Sequence, residues 1–136
     1  MKLSKSAPGK SDPDAFAKAT VYDPASMTRE AAELSMKMSA LPGAQAAFLK
    51  AIRATTTFWG QARSMYAPNV RGMSSIQKPV LIVWGKQDKV TALAHGMAAA
   101  KRIRGARLKL FDRCGHLPMT EHTEEFNELL LEFLSD

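Results

Sequence analysis

Pro79-Val80-Leu81-Ile82-Val83-Trp84-Gly85-Lys86-Gln87-Asp88 is the stretch of sequence that decides the fold. Its apolar part, residues 80–84, is an unbroken run of β-branched and other large apolar side chains that Gly85 ends. Because the run shows no alternation with polar residues, it predicts a strand buried on both faces, as in a parallel sheet. Asp88 would then lie just beyond the carboxyl end of that strand, where ligands bind in open parallel sheets.

A helix, a second strand and a final helix are predicted after this stretch. Residues 92–103 are Ala-rich and predict a helix, residues 106–111 predict a strand, and residues 112–122 predict a loop. Thr123 is the expected N-cap of the last helix, whose Glu124 complements the helix dipole. Its apolar residues recur at helical spacing: Phe126, Leu129, Leu130, Phe133 and Leu134. The order strand, helix, strand, helix predicts an α/β fold with two parallel strands.

The first half of the chain predicts helices and offers no obvious further strand. Asp12-Pro13 is typical of a helix start, with Asp as the N-cap and Pro in the first turn, and predicts a short helix over 15–19. Thr28 is a second candidate N-cap, and Pro42-Gly43 ends the helix that follows it. A third helix is predicted over 44–54.

The size of the chain and its number of strands do not agree well. The chain has 136 residues, of which 46% are hydrophobic, and this suits one domain with a modest core. Two strands alone make a poor sheet, because independent stability usually needs about three or more. We therefore expect the sheet to be partial.

The distribution of charge argues against binding to nucleic acid. The net charge is +6, and all of the excess lies in residues 1–78, which hold 11 Lys or Arg and 5 Asp or Glu. It is spread thinly there, with no basic stripe and little aromatic interleaving. The densest basic group, between Lys101 and Lys109, is interpreted as a solvated helix end and strand edge rather than a phosphate site.

The sequence also bears on the expected compartment. Cys114 is the single cysteine, so an internal disulfide is excluded, which fits a reducing compartment. Residues 1–10 lack the apolar run of a signal peptide, and no stretch has the ~18 consecutive apolar residues of a membrane span. We expect a cytoplasmic protein without membrane association.

Two residues with catalytic chemistry follow the two predicted strands. Asp88 lies in the loop 85–90 and His116 in the loop 112–118. Adjacent parallel strands would bring these loops together, although the two residues are far apart in sequence. A carboxylate beside an imidazole fixes its tautomer and stabilises the imidazolium, which is the orienting pair of a hydrolytic triad.

The same stretches resemble the α/β-hydrolase superfamily over residues 79–134. Residues 79–88 are similar to its acid strand and loop, Phe111-Asp112-Arg113-Cys114-Gly115-His116-Leu117-Pro118 to its histidine loop, and residues 125–134 to its final helix. The resemblance implies that Asp88 is the triad acid and His116 the general base. The Cys-Gly-His and Glu-His pairs, followed by Glu-Glu-Phe-Asn, resemble the meta-cleavage-product hydrolases, which cut carbon–carbon bonds in dienoate ring-fission products.

The resemblance also divides the chain. Residues 1–12 are predicted to be a disordered N-terminus, residues 13–75 a helical lid, and residues 76–136 the C-terminal part of the hydrolase core. A lid shapes the pocket and excludes water. The candidate substrate-contacting residues are Val90 and Leu117 from the two loops and Phe58 and Trp59 from the lid. Other apolar lid residues that could line a pocket are Met36, Met38 and Phe48, although packing within the lid explains them equally well.

The chain departs from the superfamily at its nucleophile. The superfamily places it in Gly-x-Ser-x-Gly on a strand-to-helix turn, and this chain has no such motif. The nearest string, residues 72–76, lacks the second glycine and follows no predicted strand, so Ser74 is interpreted as a loop serine. The oxyanion-hole loop is absent too. The resemblance therefore implies the C-terminal portion of a serine-type hydrolase of ester or carbon–carbon bonds, inactive alone and without a cofactor or metal. An Asp nucleophile, as in dehalogenases and epoxide hydrolases, stays open.

Other residues have alternative interpretations. Cys114 could be a nucleophile beside His116 but is read as a small buried residue. The three histidines, His95, His116 and His122, match no zinc-binding spacing. Glu121 is expected to tether the histidine loop. Arg53 and Arg63 could hold a substrate carboxylate or lie on an exposed helix face.

A different class of function is compatible with the same sequence. The chain could be a non-catalytic binding or assembly module, completed by a partner chain or by a homodimer that covers its open strand edge. In the hydrolase interpretation, the partner is a small-molecule substrate, with an N-terminal partner chain supplying the missing strands.

Overall fold

The computed structural model of the chain describes residues 12–57, 60–61 and 70–135. Helices dominate up to residue 55, and a parallel strand pair with its helices follows from residue 81. The elements are α1 (Pro13–Thr20), a 3₁₀ turn (Pro24–Ser26), α2 (Arg29–Ser39), α3 (Ala44–Thr55), β1 (Thr56–Thr57), β2 (Gly60–Gln61), β3 (Leu81–Gly85), α4 (Leu93–Arg102), β4 (Arg107–Phe111), α5 (Pro118–Glu121) and α6 (Thr123–Ser135). Residues 70–73 add one helical turn.

The first helices begin where the capping residues predict. A side-chain oxygen of Asp12 accepts a hydrogen bond from the Asp14 amide, and Thr28 accepts one from the Ala31 amide. Each bond satisfies an N–H group that has no partner inside its helix. After α2, Gly43 adopts a left-handed conformation with φ of 82°, which a glycine reaches at no steric cost.

The sheet that carries the candidate site consists of β3 and β4. The strands are parallel, with Leu81 opposite Arg107 and Gly85 opposite Phe111, so both end at the same edge. Helix α4 connects them and packs closely on β3: a Cβ atom on Gly96 would lie 2.6 Å from the Trp84 ring. The predicted order of strand, helix, strand and helix is confirmed.

The burial predicted for β3 is wrong. Leu81 to Trp84 are only partly buried, and Gly85 alone is fully buried. In the described part of the chain β3 pairs only with β4, so its other edge has no neighbouring strand to cover the apolar side chains. The composition of β3 therefore suits a larger sheet than these two strands.

Three local predictions also need correction. The region 112–122 contains the short helix α5, which is too short to show a periodic pattern. Thr123 is the first residue of α6 and not its cap, since its hydroxyl donates to the Met119 and Thr120 carbonyls. The first half holds a small antiparallel pair, β1 with β2, that the sequence did not reveal.

The N-terminal helical part of the chain and the histidine loop share a core. Ala17, Val21, Met27 and Ala32 form a buried cluster, and Leu117 from the histidine loop packs against it together with Phe16. The final helix is less well covered, because Leu131 and Leu134 are 69% and 70% exposed. Within the described residues, no helix combines the length and apolarity that a membrane crossing would need.

Candidate active site

The two loops that follow β3 and β4 touch through their backbones. A Cβ atom on Gly85 would overlap the carbonyl oxygen of Gly115, so only glycine fits at this crossing. Gly115 is confined in turn, because its Cβ atom would lie 2.7 Å from the Thr20 carbonyl oxygen. Both glycines are therefore required where backbone segments approach each other closely.

Gln87 ties the acid loop to the histidine loop, a role that the sequence analysis missed. Its backbone N–H donates to the Cys114 carbonyl at 2.9 Å, and its side-chain oxygen accepts from the Cys114 backbone N–H at 3.1 Å. Its side-chain nitrogen donates to Asp112. Nothing in the sequence marks Gln87 except its place one residue before Asp88.

Asp88 is buried and fully hydrogen-bonded. Its side chain is 4% exposed. One oxygen, Oδ1, accepts from the amides of Val90 and Thr91 at 2.7 and 2.9 Å. The other, Oδ2, accepts from the Thr91 hydroxyl at 2.7 Å and lies 2.9 Å from Nδ1 of His116. Two partners on each oxygen match what an ionised carboxylate can accept.

These contacts hold Asp88 in its charged form. Burial alone would raise the pKa of the carboxyl, because it disfavours charge. The hydrogen bonds from His116, Thr91 and Val90 outweigh this effect and lower the pKa of Asp88 below its ordinary value. The pair is thus a buried carboxylate facing an imidazole whose ring is 37% exposed.

The histidine loop is held from two sides. The His116 amide donates to the Thr20 carbonyl at 2.8 Å, at the end of α1. Glu121 accepts hydrogen bonds from the amides of Gly115 and Leu117, and its Oε2 also accepts from the Tyr22 amide at 2.7 Å. The expected tethering by Glu121 is present in the structure, and it extends to a residue 99 positions away in sequence.

A small cavity opens beside the pair. Its volume is about 110 Å³. It is lined by Val83, Trp84, Gly85, Asp88, Thr91, His116 and Pro118. A reacting group could therefore approach the imidazole from this side.

Of the predicted substrate-contacting residues, Val90 and Leu117 are not among the residues that line this cavity. Val90 is 55% exposed, and Leu117 faces the core shared with α1. Phe58 and Trp59 lie outside the described residues, as does Arg63. Met38 and Phe48 are 60% and 65% exposed, and Arg53 is exposed on α3.

Neither alternative nucleophile is supported by its surroundings. Cys114 is fully buried, and burial together with the nearby charges of Glu121 and Asp88 raises the pKa of its thiol to about 12. It is therefore protonated near neutral pH, whereas the thiolate is the nucleophilic form. Ser74 is exposed, and its hydroxyl donates to the Arg71 carbonyl within its own turn.

The three histidines have separate environments. His95 is exposed on α4. His122 packs its ring against Phe111, with centroids 5.0 Å apart. In the described ranges, no three His, Cys, Asp or Glu side chains gather as metal ligands.

Known proteins match this chain over both its sequence and its fold. A family model described as "Alpha/beta hydrolase family" matches residues 5–129. The 2-hydroxy-6-oxononadienedioate/2-hydroxy-6-oxononatrienedioate hydrolase of Comamonas testosteroni is 38% identical over 64 residues, which are 47% of this chain and 22% of that protein. The 2-hydroxy-6-oxo-6-phenylhexa-2,4-dienoate hydrolase of Burkholderia cepacia is 36% identical over 64 residues, with the same shares.

A solved structure covers more of the chain. The meta-cleavage product hydrolase CumD from Pseudomonas fluorescens IP01 is 25% identical with a TM-score of 0.69, over 93% of this chain and 47% of that one. The chain thus spans about half of this structure, and its aligned part about a fifth of the curated relatives.

Proposed function

This chain belongs to the alpha/beta hydrolase family, and we propose that it carries the acid and the base of a hydrolytic triad, Asp88 and His116. The observation that carries the proposal is the 2.9 Å contact between Asp88 Oδ2 and His116 Nδ1, with the acid buried and the base half-exposed. The nucleophile is supplied by a segment other than residues 1–136, since the chain has no Gly-x-Ser-x-Gly motif.

Each member of the pair has a defined chemical task. Asp88, as a carboxylate, accepts a hydrogen bond from the Nδ1–H group of His116 and thereby favours the tautomer whose lone pair is on Nε2. His116 then takes the proton of an attacking hydroxyl through Nε2 and returns it to the leaving group. Asp88 stabilises the imidazolium that exists between these two transfers.

The proposed substrates are ketones of the 2-hydroxy-6-oxo-dienoate class. This choice follows the printed names of the relatives from Comamonas testosteroni and Burkholderia cepacia and the likeness to CumD. In such a hydrolysis the nucleophile adds to the ketone carbon, the adjacent carbon–carbon bond breaks, and water supplies the hydroxyl and the proton of the two products. Ester hydrolysis needs the same pair and is the other reaction in this class.

A second candidate function is assembly without catalysis. The two-stranded sheet, the partly buried apolar side chains of β3 and the exposed Leu131 and Leu134 favour it, because such surfaces are normally covered. A second copy or a partner chain would provide the cover. Sedimentation at several protein concentrations measures this association, and a monomer that melts in one sharp transition counts against it.

Covalent labelling with a serine-directed fluorophosphonate tests the hydrolase proposal. The chain alone is expected to remain unlabelled, because the proposed nucleophile is not part of it. A fusion in which this chain replaces the matched part of CumD is expected to take the label. In that fusion His116→Gln should abolish labelling, whereas the matched control His122→Gln should retain it.

Two results would contradict the hydrolase proposal. One is stoichiometric labelling of the chain alone. The other is a fusion that unfolds cooperatively, and is therefore folded, yet takes no label.

A further inference from the structure

Thr91 makes a contact that neither the sequence pattern nor the proposed triad explains. Its hydroxyl donates to Asp88 Oδ2 at 2.7 Å, the same oxygen that lies 2.9 Å from His116 Nδ1. The hydroxyl oxygen is itself 3.5 Å from that nitrogen. Two polar atoms, the Thr91 hydroxyl oxygen and His116 Nδ1, therefore meet at one carboxylate oxygen at the edge of the cavity.

Helix capping does not account for this hydroxyl. A threonine just before a helix commonly accepts a hydrogen bond from a backbone N–H of the first turn. Helix α4 has Ala92 at its N-cap and no side-chain cap. The Thr91 side chain points instead to the acid.

The shape of the acid loop does not require the hydroxyl either. Asp88 Oδ1 already accepts the amides of Val90 and Thr91, and these two bonds close the turn. They involve only backbone donors, so they persist with any residue at position 91 except proline. The hydroxyl acts on the second oxygen, the one that faces the imidazole.

We propose that Thr91 is a positioning residue, whose hydroxyl fixes Asp88 Oδ2 in the orientation that accepts the hydrogen bond from His116 Nδ1–H. The assignment rests on the proposed function in so far as His116 is the base. With Oδ1 held by two amides, the hydroxyl bond is the remaining contact, apart from the imidazole itself, that prevents Oδ2 from turning away. Without the hydroxyl, the contact with His116 Nδ1 is the remaining hydrogen bond that restrains Oδ2.

The backbone of Thr91 is held independently of its hydroxyl. The indole nitrogen of Trp84, on β3, donates to the Thr91 carbonyl at 3.4 Å. The Trp84 ring in turn packs against Gly96 of α4. A change confined to the side chain of Thr91 should therefore leave this indole bond in place, and the indole N–H signal reports whether the loop keeps its shape.

Three variants of the chain separate the hydroxyl from the rest of the side chain. Thr91→Val keeps the side-chain volume but removes the hydroxyl. Thr91→Ala removes both the hydroxyl and the methyl group. Thr91→Ser keeps the hydroxyl and removes the methyl group. Two signals are measured by NMR: the titration of the Asp88 carboxyl carbon and the exchange of the His116 Nδ1 proton with water. The Trp84 indole N–H is the fold control.

The valine and alanine variants should behave alike. Each should raise the pKa of Asp88 toward its ordinary value, because one hydrogen bond to the charged form is lost. Each should also speed exchange of the His116 proton, by a factor on the order of ten for one such bond. The serine variant should match the unaltered chain in both signals.

Two outcomes would overturn the assignment. If Thr91→Val and Thr91→Ala leave both signals unchanged, the hydroxyl does not position Oδ2. If Thr91→Ser behaves like Thr91→Val, the methyl group and not the hydroxyl is responsible. None of these measurements involves a nucleophile or a substrate, so failure of the hydrolase proposal and failure of this one are separate results.

Discussion

At the scale of single residues, Asp88 combines two features that normally oppose each other. A side chain that is 4% exposed should avoid charge, yet this carboxylate is ionised because four hydrogen-bond partners surround it. The consequence is a fixed negative charge directly behind the imidazole of His116.

The lowered pKa of Asp88 predicts how stability depends on pH. Because the folded-state value lies below the ordinary value of 3.8, the stabilisation is complete above that pH and is lost as the pH falls through the lowered pKa. Asp88→Asn cannot titrate and serves as the reference. The difference in unfolding free energy between the unaltered chain and Asp88→Asn, measured in urea from pH 6 to 2.5, should shrink below about pH 4. A constant difference over that range would contradict the prediction.

At the scale of elements, Glu121 connects three parts of the fold. It ends the short helix α5, accepts amides of the histidine loop and accepts the amide of Tyr22 just after α1. All these partners are donors. A carboxylate satisfies them, whereas the amide of glutamine must turn its own donor group toward at least one of them.

Glu121→Gln should therefore be strongly destabilising for so small a change. We expect a loss of about 1–3 kcal/mol in the free energy of unfolding, the cost of leaving a buried donor unsatisfied. Glu128→Gln, on the exposed face of α6, is the matched control and should change it by less than about 0.5 kcal/mol. Denaturant unfolding of the two variants measures both changes in the free energy of unfolding. Equal changes would contradict the proposed role of Glu121 in connecting these parts of the fold.

The elements also show what the sequence can and cannot predict. The strands β3 and β4 and the helices α4 and α6 were predictable because their residues follow local patterns. The positions of Asp88 and His116 were predictable because each follows one of these two strands. The α/β-hydrolase resemblance was predictable on the same residues and is confirmed by the family match over residues 5–129. Thr91 and Gln87 were not predictable, because their roles arise from contacts across loops that no local pattern encodes.

At the scale of the whole molecule, the described chain holds the Asp88–His116 pair at one edge of a two-stranded parallel sheet. The strand β3 has the composition of a buried central strand but a neighbour on only one side among the described residues. The His116 amide nevertheless donates to the Thr20 carbonyl, and the Tyr22 amide donates to Glu121, so the end of α1 is held against the histidine loop and α5. The contact between Asp88 and His116 is thus organised by residues of this chain.

The tautomer of His116 tests this claim most directly. We predict that neutral His116 carries its proton on Nδ1, in a hydrogen bond to Asp88, so that the lone pair lies on Nε2. Long-range ¹⁵N–¹H NMR of the chain distinguishes the two ring nitrogens, with His95 and His122 as internal references. A neutral His116 protonated on Nδ1 is the expected result. A proton on Nε2 would contradict this prediction, because the lone pair would then lie on Nδ1, which faces Asp88, and Nε2 could not accept a proton from a nucleophile.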